Sequence, residues 1–333
     1  MSKNILIVGG SGYVGQHLCR DLPKLLDGKG FDFYATYNSS NVFDEHPSIF
    51  PSIKKSFRVQ LENGYNEIID LIKKIKPVFI VNPSAMSAVP QCQNNPDSAY
   101  KVNDPSEWAA VAISECNCQR FIHFSTDMVY DGNHAPYSET DPANPVSTMI
   151  YGLSKRKGEQ NLLSNPKVDN KVAILRSALV IGKPPVCGSG RGSTLEWMIA
   201  ALKKATPESP ASFFSNEMRS PVLADDIVRV IAKIIEMDSS DSKLGTVPYP
   251  FVANMGGSSD CSRLDIGEGL RVRLGVKEEC LKPSLQQPLQ GGIERPRDIR
   301  MNNKKLKDTL KIEMCTLDQS LDFIFGLSAH PYL

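Results

Sequence analysis

The sequence contains few cysteines and no long hydrophobic run. Eight cysteines in 333 residues are too sparse for a disulfide scaffold, and none has the C-x-x-C spacing of a metal site. We therefore expect reduced, mostly buried thiols and no metal. No stretch approaches the roughly 18 apolar residues of a membrane span, and the apolar segment 5–8 begins too early for a signal peptide. These absences favour a cytoplasmic protein.

The chain also lacks an excess of charge of either sign. It carries 38 basic and 37 acidic side chains, a formal net charge of +1. Such a protein has no general field that attracts nucleic acid or an anionic membrane, so we expect neither partner. Any anion it binds must be held by a local site. A length of 333 residues corresponds to about two structural units.

Short β-branched runs alternate with longer helical patterns in the first half, which is typical of βαβ units. We predict strands at 4–8, 32–37, 56–61, 78–82, 120–125 and 171–176, and helices at 12–26, 65–75, 96–114 and 151–163. Pro23 should kink or shorten the first helix. The segment 38–51, rich in Asn, Ser and Pro, should replace or delay the next one. The expected fold class is α/β, with a Rossmann-type doubly wound parallel sheet.

The regular alternation decays after residue 176. We predict a loop at 182–192 and helices at 195–204, 225–237, 263–274 and 317–325. No linker cleanly cuts the chain. We therefore expect a first domain over residues 1–178 and a smaller, mixed α/β substrate-binding lobe over 179–333, interleaved with the first and sharing one cleft with it.

The segment 9–15, GGSGYVG, joins the first predicted strand to the first predicted helix. Glycines let the backbone turn tightly and approach a pyrophosphate, whose charge then lies on free N–H groups at the helix N-terminus. A plain glycine turn is the alternative, but this position in a βαβ chain favours an NAD(P)-binding domain. The predicted cofactor contacts are Gly9, Ser11, Gly12, Tyr13, Val14 and Gly15.

The end of the second strand predicts which dinucleotide binds. A site for NAD(H) carries an acidic residue there, which binds the adenosine ribose hydroxyls. This chain has Tyr37, Asn38, Ser39 and Ser40 instead, so no carboxylate is available. Small polar groups tolerate a 2′-phosphate, although no arginine adjoins them. The pattern therefore favours NADP(H) modestly over NAD(H), with Asn38 and Ser39 as contacts.

The segment 151–155, YGLSK, begins a predicted helix and places Tyr151 and Lys155 on one face. A phenol with an ordinary pKa of about 10 is a poor proton donor or acceptor at neutral pH, and a nearby cation lowers that pKa. Tyr151 could then act as a general acid or base. Alone, this spacing is more typical of a solvated helix face, so the catalytic interpretation depends on other motifs.

Several further motifs accompany this pair. They are VNPSAM at 81–86 with AYKVN at 99–103, STDMVYDG at 125–132, FSNEMRSP at 214–221 leading to Asp225 and Asp226, and RPRD at 295–298. Together with the glycine segment, they resemble the extended short-chain dehydrogenase/reductase family over nearly the whole chain. The nearer likeness is to the branch of dTDP-4-dehydrorhamnose reductase and the regulatory β subunit of methionine adenosyltransferase.

The resemblance implies a role for each matching residue. Tyr151 would donate a proton to a carbonyl, Thr126 would hold that carbonyl, and Lys155 would tune Tyr151 and hold the nicotinamide ribose. Asn103 would support the sheet and the proton path. The other implied cofactor contacts are Leu61, Ser84, Ala85, Met86, Ser125 and Ser177, and the candidate substrate contacts are Thr126, Asp127 and Arg219.

The sequence departs from the family pattern at two places. The usual Asn-Ala-Ala after the fourth strand is NPSA at 82–85, and an aspartate often found near the adenine is replaced by QL at 60–61. Neither change removes a catalytic group. Sugar-nucleotide dehydratases of this fold follow the threonine with Asp-Glu, whereas this chain has DM at 127–128. Dehydration is therefore disfavoured.

Two features have less specific interpretations. His123 alternates with apolar residues in a strand, so we predict a packed rather than a catalytic side chain. The basic run 295–311 could contact a diphosphate or an acidic partner, but such runs more often form a solvated face.

The sequence thus predicts an NAD(P)(H)-dependent oxidoreductase that reduces a carbonyl, with a 4-keto nucleotide sugar as the implied substrate class. The alternative is a regulatory subunit that keeps the dinucleotide site and binds a partner enzyme such as methionine adenosyltransferase, because a shared fold does not decide function. A homodimer is also compatible with the resemblance.

Overall fold

The computed structural model describes residues 3–186, 193–239, 246–288 and 292–332. Cys187 and the end of the predicted loop 182–192 lie outside the described residues. The strands are β1 (Lys3–Ile7), β2 (Phe31–Tyr37), β3 (Ile53–Arg58), β4 (Phe79–Asn82), β5 (Arg120–Thr126), β6 (Val172–Ser177), β7 (Val180–Ile181), β8 (Ala211–Phe214), β9 (Met218–Arg219), β10 (Val222–Leu223), β11 (Phe251–Met255), β12 (Cys261–Ser262) and β13 (Leu281–Ser284).

The helices alternate with these strands in the first half of the chain. They are α1 (Tyr13–Leu25), α2 (Val42–Glu45), α3 (Asn66–Ile75), α4 (Val89–Asn94), α5 (Pro96–Asn103), α6 (Ser106–Glu115), α7 (Ile150–Ser164), α8 (Thr194–Lys204), α9 (Ala224–Asp238), α10 (Arg263–Leu274), α11 (Lys304–Leu310) and α12 (Leu317–Ile324). None of these described helices combines the length and the apolar character needed to cross a membrane.

Seven of the described strands form the central sheet in the order β11-β6-β5-β4-β1-β2-β3, and every neighbouring pair is parallel. Successive side chains of β1 enter opposite cores: Ile5 and Ile7 pack with α1 and α9, whereas Leu6 packs with α3 and α6. Both faces of the sheet are therefore covered by helices, as parallel sheets require. The predicted doubly wound α/β fold is confirmed.

Several predicted elements differ from the structure in their bounds. The single helix predicted over 96–114 is two helices, α5 and α6, because Pro105 has no N–H with which to continue the first. The third strand begins and ends three residues earlier than predicted. Pro23 lies inside α1, but in its last turn, where its missing N–H removes little of the helix.

The second half of the chain returns to the central sheet, although the sequence pattern did not reveal it. The unpredicted strand β11 pairs with β6 at the sheet edge, and α9 packs in the same core as α1. The smaller lobe has its own apolar core between α8, α10, α12 and the β8–β13 pair. The predicted division at residue 178 remains a prediction.

A buried polar network joins α7 to the sheet. The Arg176 guanidinium donates to both carboxylate oxygens of Glu159, at 3.0 and 2.8 Å, and to the Tyr130 hydroxyl at 2.9 Å. That hydroxyl donates to Asn254 Oδ1 of β11 at 2.8 Å. Glu159 is 0% and Arg176 is 4% exposed. The charges are therefore compensated within the protein rather than by water.

We expect Arg176→Met to lower the free energy of unfolding by about 3–5 kcal/mol, because it removes one partner of a buried ion pair and leaves the Glu159 charge undercompensated. Urea unfolding would measure the change. Lys304→Met is the matched control: its ion pair with Asp308 is exposed, so its effect should stay below about 0.5 kcal/mol. Equal effects of the two variants would contradict the assignment of stability to the buried pair.

Candidate functional site

A cleft of about 560 Å³ opens at the carboxyl ends of the central strands. Ligands bind in this position in open parallel sheets, and the volume is within the usual range of about 300–1,000 Å³ for ligand sites. Most of the predicted site residues line this one cleft. They are Gly9, Ser11, Gly12, Tyr13, Val14, Gly15, Asn38, Leu61, Ser84, Ala85, Ser125, Thr126, Asp127, Tyr151, Lys155, Ser177 and Arg219.

Three predicted site residues lie outside this cleft. Ser39 and Met86 line a neighbouring cavity. Asn103 is fully buried: its Oδ1 accepts from the Met86 backbone N–H at 2.9 Å, and its Nδ2 donates to the Met86 carbonyl at 3.1 Å and to Ser154 Oγ at 2.9 Å. Asn103 therefore fastens the loop after β4 to α7, one residue before Lys155.

Gly9, Gly12 and Gly15 of the segment 9–15 have different physical uses. Gly9 has a φ of +83°, and a Cβ there would lie 2.9 Å from the Cα of Ser84. A Cβ on Gly15 would lie 2.2 Å from the Gly9 carbonyl oxygen, so Gly15 lets α1 pack onto the loop. A Cβ on Gly12 meets that oxygen at 3.3 Å. Thr36, which the sequence analysis missed, holds the loop by accepting from the Gly9 N–H at 2.9 Å.

The end of β2 has charged neighbours that the sequence pattern did not reveal. Arg58 Nε donates to the Asn38 carbonyl, and Asn38 Nδ2 donates to Glu62 Oε1, each at 3.2 Å. The predictions that no arginine adjoins this segment and that no carboxylate is available are therefore wrong. Arg58 pairs in register with Tyr37 across β2 and β3. Because the third strand was predicted three residues too late, the sequence did not place Arg58 beside Asn38.

The end of β5 and the start of α7 bring the predicted catalytic side chains together. Thr126 Oγ1 accepts from the Met128 N–H at 3.2 Å and donates to Asp127 Oδ1 at 3.1 Å. A Cβ on Gly152 would lie 2.4 Å from the Met128 carbonyl oxygen. Glycine next to Tyr151 therefore permits the close approach of α7 to the turn after β5.

Burial controls the protonation of the catalytic pair. It raises the pKa of Tyr151 above its ordinary value, and a hydrogen bond with Thr126 opposes this only in part. The Tyr151 pKa is thus raised rather than lowered in this structure, and the tuning of Tyr151 by Lys155 stays a prediction. Burial also lowers the pKa of Lys155 to about 7, against the charge of Glu159. At neutral pH, Tyr151 retains its proton and is available as a donor.

Lys155 is buried but has an unused polar atom. The side chain is 1% exposed, and its Nζ has no hydrogen-bond partner within residues 3–186, 193–239, 246–288 and 292–332. Burying an unpaired polar group is costly, so this amine is available to bind a ligand group. Together with the glycine loop and the start of α1, whose first turn has no acidic residue, it fits a dinucleotide with ribose hydroxyls and a pyrophosphate.

Arg219 lies at the cleft, but much of its hydrogen-bonding capacity is already used. Its guanidinium donates to the carbonyls of Met218 at 2.7 Å, Arg297 at 3.0 Å and Pro296 at 3.0 Å. It therefore fastens the segment 295–298 beside the cleft. Its Nε lies 3.9 Å from Asp127 Oδ2. Burial raises the pKa of Asp127 to about 6, and the Arg219 charge opposes that rise.

Two further arginines and a phenylalanine adjoin this region. Arg295 was considered from the sequence only as part of the basic run 295–311, and Arg263 and Phe214 were not assigned to the site. Arg263 lines the cleft and donates from Nε to Glu217 Oε1 at 2.7 Å. Arg295 lies 3.4 Å from Glu217 Oε2 and over the Phe214 ring at 5.7 Å. Arg263 Nη1 and Arg295 Nε are buried without a partner in the part of the chain that the structure describes.

Gln286 forms part of a second cavity next to these arginines, with a volume of about 270 Å³. Gln286 is 6% exposed, and neither its Nε2 nor its Oε1 has a partner among the described residues. Arg295 and Arg297 line the same cavity. A single glutamine belongs to no motif, so sequence reasoning had no signal for it.

One cluster outside the cleft has the composition of a metal site. Asp226, Cys315 and His330 are buried close together, a proximity that local sequence spacing does not reveal. However, Arg229 already compensates Asp226 at 2.6 Å, and His330 Nε2 lies 3.2 Å from the same carboxylate. The Cys315 backbone N–H donates to the other carboxylate oxygen of Asp226 at 2.7 Å. These contacts anchor the C-terminal segment to α9.

Comparisons with known proteins agree with this architecture. Residues 3–326 match the family described as RmlD substrate binding domain. The dTDP-4-dehydrorhamnose reductase of Shigella flexneri is 25% identical over 316 residues, covering 93% of this chain and 92% of that protein. Methionine adenosyltransferase 2 subunit beta of Danio rerio is 23% identical over 240 residues, covering 71% of this chain and 68% of that protein.

The solved structures show the same fold. The structure of dTDP-4-dehydrorhamnose reductase from Bacillus anthracis in complex with NADP has a TM-score of 0.74 at 21% identity, covering 98% of this chain and 99% of that one. The resemblance predicted from the sequence is thus confirmed. Because the family match spans nearly the whole chain, the protein belongs to the RmlD substrate binding domain family.

Proposed function

We propose that the protein is an NADP(H)-dependent reductase that acts on a carbonyl group of a nucleotide sugar. The observation that carries this proposal is the arrangement of Thr126, Tyr151 and Lys155 in the cleft that begins at the glycine loop. The relatives named dTDP-4-dehydrorhamnose reductase support it, since that name specifies reduction of a 4-keto nucleotide sugar.

Tyr151 is the proposed proton donor. When bound, the cofactor supplies a hydride to the carbonyl carbon, and the carbonyl oxygen then needs a proton. Tyr151 is protonated at neutral pH because burial raises its pKa, so its O–H can supply that proton. Thr126, which lines the same cleft as Tyr151, would hold the carbonyl oxygen beside the phenol.

Lys155 is proposed to hold the nicotinamide ribose. Its Nζ is buried without a partner in the described structure, and a ribose hydroxyl would provide one. Once bound in this way, its ammonium would also stabilise the phenolate that Tyr151 becomes after it gives up its proton. The same side chain therefore serves both binding and chemistry.

The region around Glu217 is the proposed site for the nucleotide part of the substrate. Arg263 and Arg295 offer guanidinium donors for a diphosphate, which guanidinium binds well. The Gln286 amide offers both a donor and an acceptor for a base edge.

NADP(H) is the preferred cofactor in this proposal because Arg58 lies beside Asn38 at the end of β2. Its positive charge would attract the 2′-phosphate of NADP(H), which NAD(H) lacks. The negative charge of Glu62, which accepts a hydrogen bond from Asn38, opposes this effect. The NADP bound by the Bacillus anthracis reductase supports the same preference.

The alternative function is a regulatory subunit that binds the dinucleotide and a partner enzyme. The likeness to methionine adenosyltransferase 2 subunit beta supports it. The two functions differ in whether a substrate is turned over. An assay of the purified protein with a panel of 4-keto nucleotide sugars, following NADPH absorbance, tests the reductase directly.

We expect Gly12→Val to abolish NADPH binding and leave the protein folded, because its side chain would occupy the place of the pyrophosphate while a Cβ there approaches only the Gly9 carbonyl oxygen. Calorimetric titration and thermal unfolding would measure both effects. Gly15→Val is the contrasting control, and its backbone clash should lower the melting temperature. Wild-type affinity in Gly12→Val would refute the loop assignment.

We expect the wild-type protein to bind NADPH more tightly than NADH. Arg58→Gln should weaken NADPH binding about tenfold and leave NADH binding unchanged, because it removes one charge beside the 2′-phosphate. Asn38→Asp should shift the preference towards NADH by repelling that phosphate. Lys55→Gln, on the same strand, controls for net charge. Tighter NADH binding by the wild-type protein would contradict the preference.

We expect Tyr151→Phe to reduce turnover by about a hundredfold or more while cofactor affinity stays nearly constant, because the proton donor is lost and the ring remains. Lys155→Met should reduce both. Tyr332→Phe, at an exposed position outside the cleft, is the matched control.

The regulatory function has its own signature in the same experiment. It predicts that no substrate is found, that Tyr151→Phe changes nothing and that the protein copurifies stoichiometrically with another enzyme. That combination of results would replace the reductase proposal.

A further inference from the structure

Ser84 lies where the loop after β4 meets the glycine loop. It lines the cleft, and a Cβ on Gly9 would lie 2.9 Å from both its Cα and its Cβ. Its position is therefore fixed against the segment that the cofactor is proposed to contact. The hydroxyl at this position is also one of the features in which the sequence departs from the usual family pattern.

Asn82 determines how the Ser84 hydroxyl can bond. The Ser84 backbone N–H and its Oγ lie 3.2 and 2.5 Å from Asn82 Oδ1. A backbone N–H can only donate, so the amide atom that it contacts is the oxygen. The Ser84 hydroxyl must then donate to the same oxygen. The single hydroxyl proton of Ser84 is used in this bond. The lone pairs of its oxygen remain available to accept a hydrogen bond from a ligand in the cleft.

His123 fixes the orientation of the Asn82 amide. The two residues are paired in register on β4 and β5, with Asn82 Nδ2 3.1 Å from His123 Nδ1. Because the amide nitrogen donates, His123 Nδ1 must accept, and the ring proton lies on Nε2. His123 is completely buried, and both burial and the Lys155 charge hold the pKa of His123 well below its ordinary value.

The neutral state of His123 is necessary for this arrangement. A protonated ring would present an N–H to the Asn82 amide nitrogen, and the reversed amide would present N–H groups to the Ser84 backbone N–H. Neither pairing can form a hydrogen bond. His123 Nε2 has no partner in the described ranges, so Nδ1 is the ring atom that is used.

We propose that His123 and Asn82 act as a positioning relay that makes Ser84 a hydrogen-bond acceptor, and that Ser84 accepts from a ribose hydroxyl of the bound dinucleotide. Phosphate oxygens are themselves acceptors, so the matching group must be a hydroxyl or an N–H donor of the dinucleotide, and of these we assign a ribose hydroxyl. The inference rests on the dinucleotide site proposed above. Ser84 would complement Lys155, which donates to ribose through its ammonium.

The first test is the affinity of Ser84→Ala for NADPH, measured by calorimetry at pH 7.5. We expect the Kd to rise about five- to tenfold, as for one lost hydrogen bond. An unchanged Kd would overturn the proposal. Ser84 lines the cleft rather than the core, so this variant should fold normally, and its melting temperature would confirm that.

The second test distinguishes a relay from a general structural role of His123. His123→Phe removes the acceptor and should weaken binding as Ser84→Ala does, whereas His123→Asn supplies an amide oxygen to Asn82 and should restore affinity. The double variant Ser84→Ala with His123→Phe should bind no more weakly than either single variant. Additive losses, or no rescue by His123→Asn, would overturn the relay.

The outcomes also separate this inference from the proposed function. A wild-type protein that binds neither NADPH nor NADH would refute both. A wild-type protein that binds NADPH, with an equally tight Ser84→Ala variant, would refute the relay alone.

Discussion

The candidate site depends on how closely α7 approaches the end of β5. Gly152 makes this approach possible, because a Cβ there would lie 2.4 Å from the Met128 carbonyl oxygen. Gly158 lets the same helix approach the end of α5, where a Cβ would lie 2.5 Å from the Asn103 carbonyl oxygen. The buried pair of Glu159 and Arg176 then fixes the helix to β6. The glycines allow α7 to pack closely, and the ion pair holds it in place. This is the helix that carries Tyr151 and Lys155.

The same close packing sets the protonation of the site. Removal of water raises the pKa of Tyr151 and lowers those of Lys155 and His123, because burial disfavours the charged form of each group. A neutral phenol can donate a proton, and a neutral imidazole can accept from Asn82. One cause thus gives Tyr151 and His123 the states that their proposed roles require, before any ligand contributes its own charge.

The predictable part of the protein was the part governed by local patterns. The glycine segment, the first two strands and the spacing of Tyr151 and Lys155 follow from periodicity and short motifs, and the structure places them as expected. The missed parts depend on tertiary pairing. Strand β11 is short and distant in sequence from β6, and Arg58 reaches Asn38 only through the β2–β3 register. No local pattern contains that information.

The charged side chains around Glu217 do not balance. Arg219, Arg263 and Arg295 surround Glu217, and Asp127 adds a second carboxylate, so three positive and two negative groups leave a formal excess of 3 − 2 = +1. A buried excess of positive charge is unfavourable without a counter-ion. The excess therefore favours an anionic ligand at this end of the cleft, as the proposed nucleotide-sugar substrate is.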